Sequence, residues 1–225
     1  LQIELFRDQY LPKAIPQELL QTDNRNIQEQ LGALRFYSTK YQYPTNAGLL
    51  LFGKNPEYYF PGAYIQYVHF QGKDTGSDIL NEKKLSYNLL NLLPRIDNFI
   101  DDTIITHRPV PVSTLKEKKQ KNFPNWAIRE LLMNAIMHRD YESNAPIKFY
   151  QFKDRIEISN AGGLYGKARP ENFPLENDYR NPTLAEAMKT LGYVNRFNRG
   201  INRVQQELEK NRNPEAKFKF NHPAS

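Results

Sequence analysis

The sequence predicts an α+β layered domain, and three observations predict it. Helix-like and strand-like segments are intermixed along the 225 residues, two strand-like runs flank Lys153-Asp154 as an antiparallel hairpin, and residues 126–141 read as a helix with one apolar and one polar face. Such a helix borders a cleft, because one side needs a core and the other needs water or a ligand.

Along the chain, residues 1–33 are polar and read as irregular, with one helix expected over residues 26–37. Thr45 is placed to cap a short helix through Phe52, stopped by Gly53 and Pro56. Residues 63–70, rich in Tyr, Ile, Val and Phe, read as a strand. From Asn81 or Glu82 to about Asp102, Leu85, Leu89, Leu92, Leu93, Ile96 and Ile100 predict one long amphipathic helix, kinked at Pro94. Residues 103–112 read as a strand confined to a sheet edge, because Pro109 and Pro111 cannot donate to a ladder. Lys116, Lys118, Lys119 and Lys121 form a basic run, read either as a solvated loop or as a phosphate-contacting patch. Pro124 suits the opening of the amphipathic helix. Residues 161–180 carry Gly and Pro without periodicity and read as a loop, of a length typical of functional lids. Helices are expected over residues 182–191 and 200–210.

Composition narrows the function classes. There is no cysteine, which rules out disulfides and thiolate metal sites and fits a cytoplasmic protein. No apolar run reaches about 18 residues, so no membrane partner is expected. The net charge of +6 permits nucleic-acid binding without requiring it. Tyr41, Tyr43, Tyr58, Tyr59, Phe60, Tyr64 and Tyr67 are explained by packing or a subunit interface, with base stacking as the alternative. The chain opens on Leu1 and is read as part of something longer.

The chemistry concentrates between residues 125 and 164. Glu130, Asn134 and His138 recur every four residues and so share one helical stripe. Leu131, Leu132, Ala135 and Ile136 lie elsewhere on the helix and can face a core. By residue chemistry alone the stripe is either a solvated surface or the wall of a pocket. A zinc centre is excluded as a reading, since one imidazole and one carboxylate fall short of three or four ligands. Arg139 and Asp140 read as an ion pair or turn cap, with phosphate contact by Arg139 as the alternative. Asn160, Gly162 and Gly163 follow the hairpin, and the glycines permit positive φ and a close ligand approach.

These two segments resemble the nucleotide-binding region of the GHKL ATPases. The resemblance is closest to the ATP-binding domain of RecG-like transcriptional regulators. It rests on Arg129-Glu130, Asn134-Ala135, His138 to Tyr141, Asp154 to Ile158, Asn160 and Gly162 to Leu164. Pro44 to Pro56, Phe60 to Ala63, Asn181 to Tyr193 and Arg196 to Ile201 extend it. The resemblance implies a GHKL (Bergerat-type) α/β sandwich, a mixed sheet with helices on one face, over residues 76–225. Residues 1–75 are then an α/β extension, the remnant or linker of a preceding AlbA-like, Schlafen-type DNA-binding domain.

It further implies ATP and Mg as cofactors. Glu130 is assigned to water activation, Asn134 to magnesium, and His138 and Arg139 to ligand contact or support. Asn160, Gly162 and Gly163 would form the adenine side, with Arg199 and Gly200 at a phosphate-binding helix start. Asn198 stands where this branch has glycine, so weak triphosphate binding and slow hydrolysis are expected. DNA would be met through flanking domains, and homodimerisation is an implied mode of assembly. A helicase motor is not implied, because no G-x-x-x-x-G-K-[ST] loop is present. The alternative is a degenerate pocket serving as an oligomerisation or nucleic-acid-binding module.

Overall fold

The computed structural model describes residues 1–176, 178–194 and 200–220. The first segment, expected to be irregular, is helical. α1 (Ile3–Leu5) passes through a π-helical turn (Phe6–Tyr10) into α2 (Leu11–Ala14), and α3 (Gln17–Gln21) follows. Burial is the reason. Phe6 and Tyr10, four apart on one helical face, enter the main core with Leu11 and pack edge to face on Phe36 and Phe52. Leu1, Ile3, Leu5, Ala14 and Ile15 pack against the same core, so the segment carries an apolar helical pattern that its reading as polar passes over.

α4 (Ile27–Ala33) starts on a capping box, in which the Asn26 side chain accepts from Gln28 N and Glu29 N and the Glu29 carboxylate accepts from Asn26 N. Asn26→Ala is expected to lower stability by about 1 kcal/mol, as this cap is worth in other helices. A urea midpoint unchanged from wild type would show that the cap contributes nothing. The helix stops short of the expected Tyr37. Arg35 takes a left-handed φ of 65°, and β1 (Tyr37–Ser38) pairs with β2 (Tyr43–Pro44). α5 (Asn46–Phe52) is capped by Thr45 Oγ1, which accepts from Gly48 N, and is followed by α6 (Pro56–Tyr59).

β3 (Ile65–Phe70) and β4 (Ile79–Leu85) pair antiparallel. The long helix expected from residue 81 therefore begins later, as α7 (Leu89–Phe99), capped by Asn88 and continued by a π-helical turn over Ile100–Ile104. Leu85 fits both periodicities, and pairing with β3 decides for strand. β5 (His107–Ser113) and β6 (Lys116–Lys121) form a separate two-stranded ribbon, so the lysine run is a strand and not a loop.

α8 (Asn125–His138) carries the polar stripe. β7 (Ile147–Gln151) and β8 (Ile156–Ser159) form the expected hairpin, and α9 (Pro182–Thr190) and α10 (Gly200–Lys210) complete the elements. The sheet order is β4-β3-β7-β8, mixed because β3 and β7 run parallel while the other pairs are antiparallel.

Ile65, Tyr67, Ile147 and Phe149 cluster with Leu92, Leu93 and Ile96 of α7 and with Leu132, Ala135 and Ile136 of α8. The intervening positions Val68 and Phe70, with Phe152, make only a small separate cluster. The molecule is thus a mixed α+β structure with α7 and α8 on one face of a mixed sheet. The division expected near residue 75 falls in the turn between β3 and β4, and core residues come from both sides of it. Among the described residues, no helix is long and apolar enough to cross a membrane.

Candidate functional site

α8 is held by its apolar positions, which fixes where the stripe points. Ile128, Leu132, Ala135 and Ile136 enter the main core, while Leu131 packs with Trp126 on a smaller cluster containing Val204 and Leu208 of α10. α10 therefore lies along α8 and brings its first residue to the stripe. Gly200 abuts the Glu130 carboxyl so closely that a Cβ at this position would overlap Oε1.

Glu130 is only 5% exposed. Burial pushes its carboxyl above the ordinary range, and Arg129, the Asn134 amide and Arg203 pull it partly back. A carboxyl tuned toward neutrality makes a better proton acceptor at neutral pH. Asn134, half-buried one turn on, donates from Nδ2 to the Glu130 carbonyl at 3.0 Å.

A second group gathers at the other end of α8. His138 stacks on Tyr179 with ring centres 5.7 Å apart, and Lys189 Nζ lies 4.6 Å from the centre of the Tyr179 ring. Burial and then the Arg180 charge hold the imidazole below its ordinary pKa. Asn181 Nδ2 donates to the carbonyls of Met137 at 3.0 Å and Arg139 at 2.7 Å, satisfying groups that the end of α8 would leave bare. Asp140 N donates to Ala161 O at 2.8 Å, which ties α8 to the turn after β8.

In that turn Gly162 has φ +94°, and a Cβ would stand 3.1 Å from Asp140 Cβ and 3.3 Å from Arg180 Nε. Arg180 pairs with Asp140 at 3.6 Å and lies over the Tyr165 ring at 4.8 Å. Its Nε is buried with no hydrogen-bond partner among the described residues. Asn160 donates to Ala161 O at 3.2 Å, and Gly163 is half-buried beyond the turn. Residues 163–176 and 178–180 form no helix or strand.

Glu130, Asn134 and Gly200 thus meet at one end of the α8 stripe, and at the other end Asp140 and Arg180 join the Gly162 turn to the helix that carries His138. The span from 130 to 138 is about 12 Å at helical rise. Arg139 is placed apart from them. It is 0% exposed, and its Nη2 donates to the carbonyls of Ser143 at 2.6 Å and Ala145 at 2.7 Å while the guanidinium lies over Tyr141. Of the ion pair or turn cap expected of Arg139 and Asp140, the cap forms: Asp140 Oδ1 accepts from Glu142 N at 3.0 Å, and the carboxylate pairs with Arg180 rather than with Arg139. Arg199 lies outside the described residues.

Tyr165, Tyr179, Arg180 and Asn181 were missed by sequence reasoning as site residues. A usable signal existed in the Asn181-Pro182 helix start, directly preceded by an aromatic and a cation. Among the described residues, no group of three or more His, Asp or Glu is placed to hold a metal ion. An amide oxygen such as that of Asn134 suits magnesium, which keeps most of its waters and takes few protein ligands.

Residues 144–224 match the family model described as "Putative ATP-dependent DNA helicase recG C-terminal", an ATPase-like domain of RecG-type proteins. Asn160, Gly162, Gly163, Arg199 and Gly200 fall inside that match, whereas Glu130, Asn134, His138 and Arg139 lie before it. The chain is similar in fold to the crystal structure of the DIP2311 protein from Corynebacterium diphtheriae, with a TM-score of 0.64 and 22% identity over 88% of this chain. It spans 38% of the length of that chain. No curated protein matches it.

Proposed function

We propose that the chain is the ATP-binding domain, of the GHKL type, of a RecG-like transcriptional regulator. The observation that carries this reading is the buried Glu130 carboxyl beside Asn134 and against Gly200 at the start of α10. Helix starts favour anions through free N–H groups, so this end suits the phosphates. The Gly162 turn at the far end of α8, with Asn160 and Gly163, suits the adenine. The Arg180 Nε, buried without a hydrogen-bond partner among the described residues, also fits a ligand that offers it an acceptor.

In this reading Glu130 accepts a proton from the attacking water, Asn134 would hold magnesium, and His138, its pKa depressed by burial, steadies the wall of the cleft. When bound, magnesium would supply charge neutralisation for the phosphates. Arg199 and Gly200 belong to the phosphate side. Arg139 supports the site from beneath by holding the 143–145 loop. A DNA-binding domain preceding this chain, dimerisation and a cytoplasmic location belong to the same proposal.

Isothermal titration with Mg-ATP tests it. Asn134→Ala is expected to bind about 10-fold more weakly or worse, the scale of weakening a metal site, with an unchanged melting temperature because the amide is not part of the core. Equal affinities in the two proteins would remove Asn134 from the metal. No binding by wild type at millimolar ATP would favour a degenerate pocket used for assembly.

A further inference from the structure

The β5–β6 ribbon is unused by the nucleotide reading. Its strands pair only with each other among the described residues. Residues 107–121 carry Arg108, Lys116, Lys118, Lys119 and Lys121 against the single carboxylate of Glu117, a net +4 in a chain of net +6. All five cations are exposed, and none forms an ion pair among the described residues. Lys118 stands opposite Val110 and Lys119 opposite Pro109, so alternation puts positive charge on both faces.

The root of the ribbon is fixed. Gln120 Nε2 donates to Asn211 O at 2.6 Å, Asn211 Nδ2 to Lys121 O at 3.0 Å, and Asn122 Nδ2 to Ile104 O at 2.9 Å. The tip is apolar and bare, with Leu115 94% and Val112 61% exposed. Pro109 and Pro111 remove backbone donors from β5, which disfavours growth of the ribbon by strand addition. Recognition through side chains is what remains.

We propose that this ribbon is a DNA-binding arm for B-form duplex. Five cations without carboxylate partners, on a rigid stem, match a phosphate backbone, whose binding is carried by Lys and Arg. Two strands about 5 Å apart fit a major groove about 12 Å wide, a groove that duplex RNA makes too narrow to enter. Leu115 at the tip has the character of the apolar side chains with which DNA-bending proteins enter a groove.

The test is fluorescence anisotropy of the whole 225-residue chain with a labelled DNA duplex, without nucleotide, between about 50 and 200 mM salt. Its failure is therefore distinguishable from failure of the ATP reading. Lys116→Ala/Lys118→Ala/Lys119→Ala is expected to weaken binding at least about tenfold and to make the salt slope shallower by roughly 3, one for each phosphate no longer neutralised. Its melting temperature should match wild type, because the three side chains are solvated. Leu115→Ser should weaken binding with an unchanged slope, since no charge is removed. The proposal is overturned if wild type fails to bind duplex DNA at the lower salt, or if the triple variant keeps wild-type affinity and slope. Equal affinity for duplex RNA, or binding to anionic phospholipid vesicles without binding to DNA, would overturn it as well.

Discussion

Glu130→Gln is expected to lower ATP turnover about 100-fold or more, the contribution of a positioned general base, and to make the protein more stable at neutral pH. The second effect follows from burial. The folded state holds the Glu130 proton more tightly than the unfolded chain does, because its carboxyl is raised above the ordinary value of 4.5, chiefly by desolvation. Stability from this group is fully present below that value and is lost as pH rises through the folded value. His138 acts in the opposite sense, since its folded value is depressed below 6.5. Its contribution is present above 6.5 and is lost as pH falls.

Urea midpoints measured across this range should therefore show wild type losing ground to Glu130→Gln as pH rises. Parallel profiles, or a variant less stable than wild type at pH 7, would mean that the carboxylate is better solvated or better paired than its burial implies. Wild-type turnover is expected well below about 10 per second, the median for enzymes. A rate at that level, abolished in Glu130→Gln, would contradict the expectation of slow hydrolysis while supporting the base.

Gly62→Ala is expected to cost about 3 kcal/mol or more. A Cβ there would overlap Arg139 Nη2 and stand 2.7 Å from the backbone carbon and oxygen of Asn144. Neither neighbour can yield cheaply. Arg139 is fully buried and holds Ser143 and Ala145 through the same nitrogen, and breaking a charged hydrogen bond adds about 1.5–3 kcal/mol to an overpacking cost of about 1–3 kcal/mol. At roughly 2–4 °C per kcal/mol for a chain of this size, melting should fall by about 6–12 °C.

Gly192→Ala is the matched control. Gly192 has φ +81° but nothing within 4 Å of a Cβ, so only left-handed strain of about 1 kcal/mol applies. If the two variants melt together, Arg139 does not anchor the 143–145 loop as described.

Local chemistry made much of this molecule readable. The Thr45 cap and the Lys153-Asp154 turn act on backbone within a few residues, so the helix after Thr45 and the hairpin could be placed from sequence. Segments decided by distant partners could not. Residues 79–85 are a strand because β3 lies beside them. The lysine run is a strand because β5 pairs with it.

The candidate site divides the same way. The sequence by itself determined that Glu130, Asn134 and His138 share a stripe and that glycines follow the hairpin, because helical period and backbone freedom are local properties. Only the tertiary structure decided that Gly200, seventy residues on, covers the Glu130 carboxyl. It alone decided that Asp140 faces Arg180 rather than Arg139, and that Arg139 points into the protein toward Gly62. Desolvation and pairing are set by whatever packs against a group, and those neighbours come from elements far away in the chain.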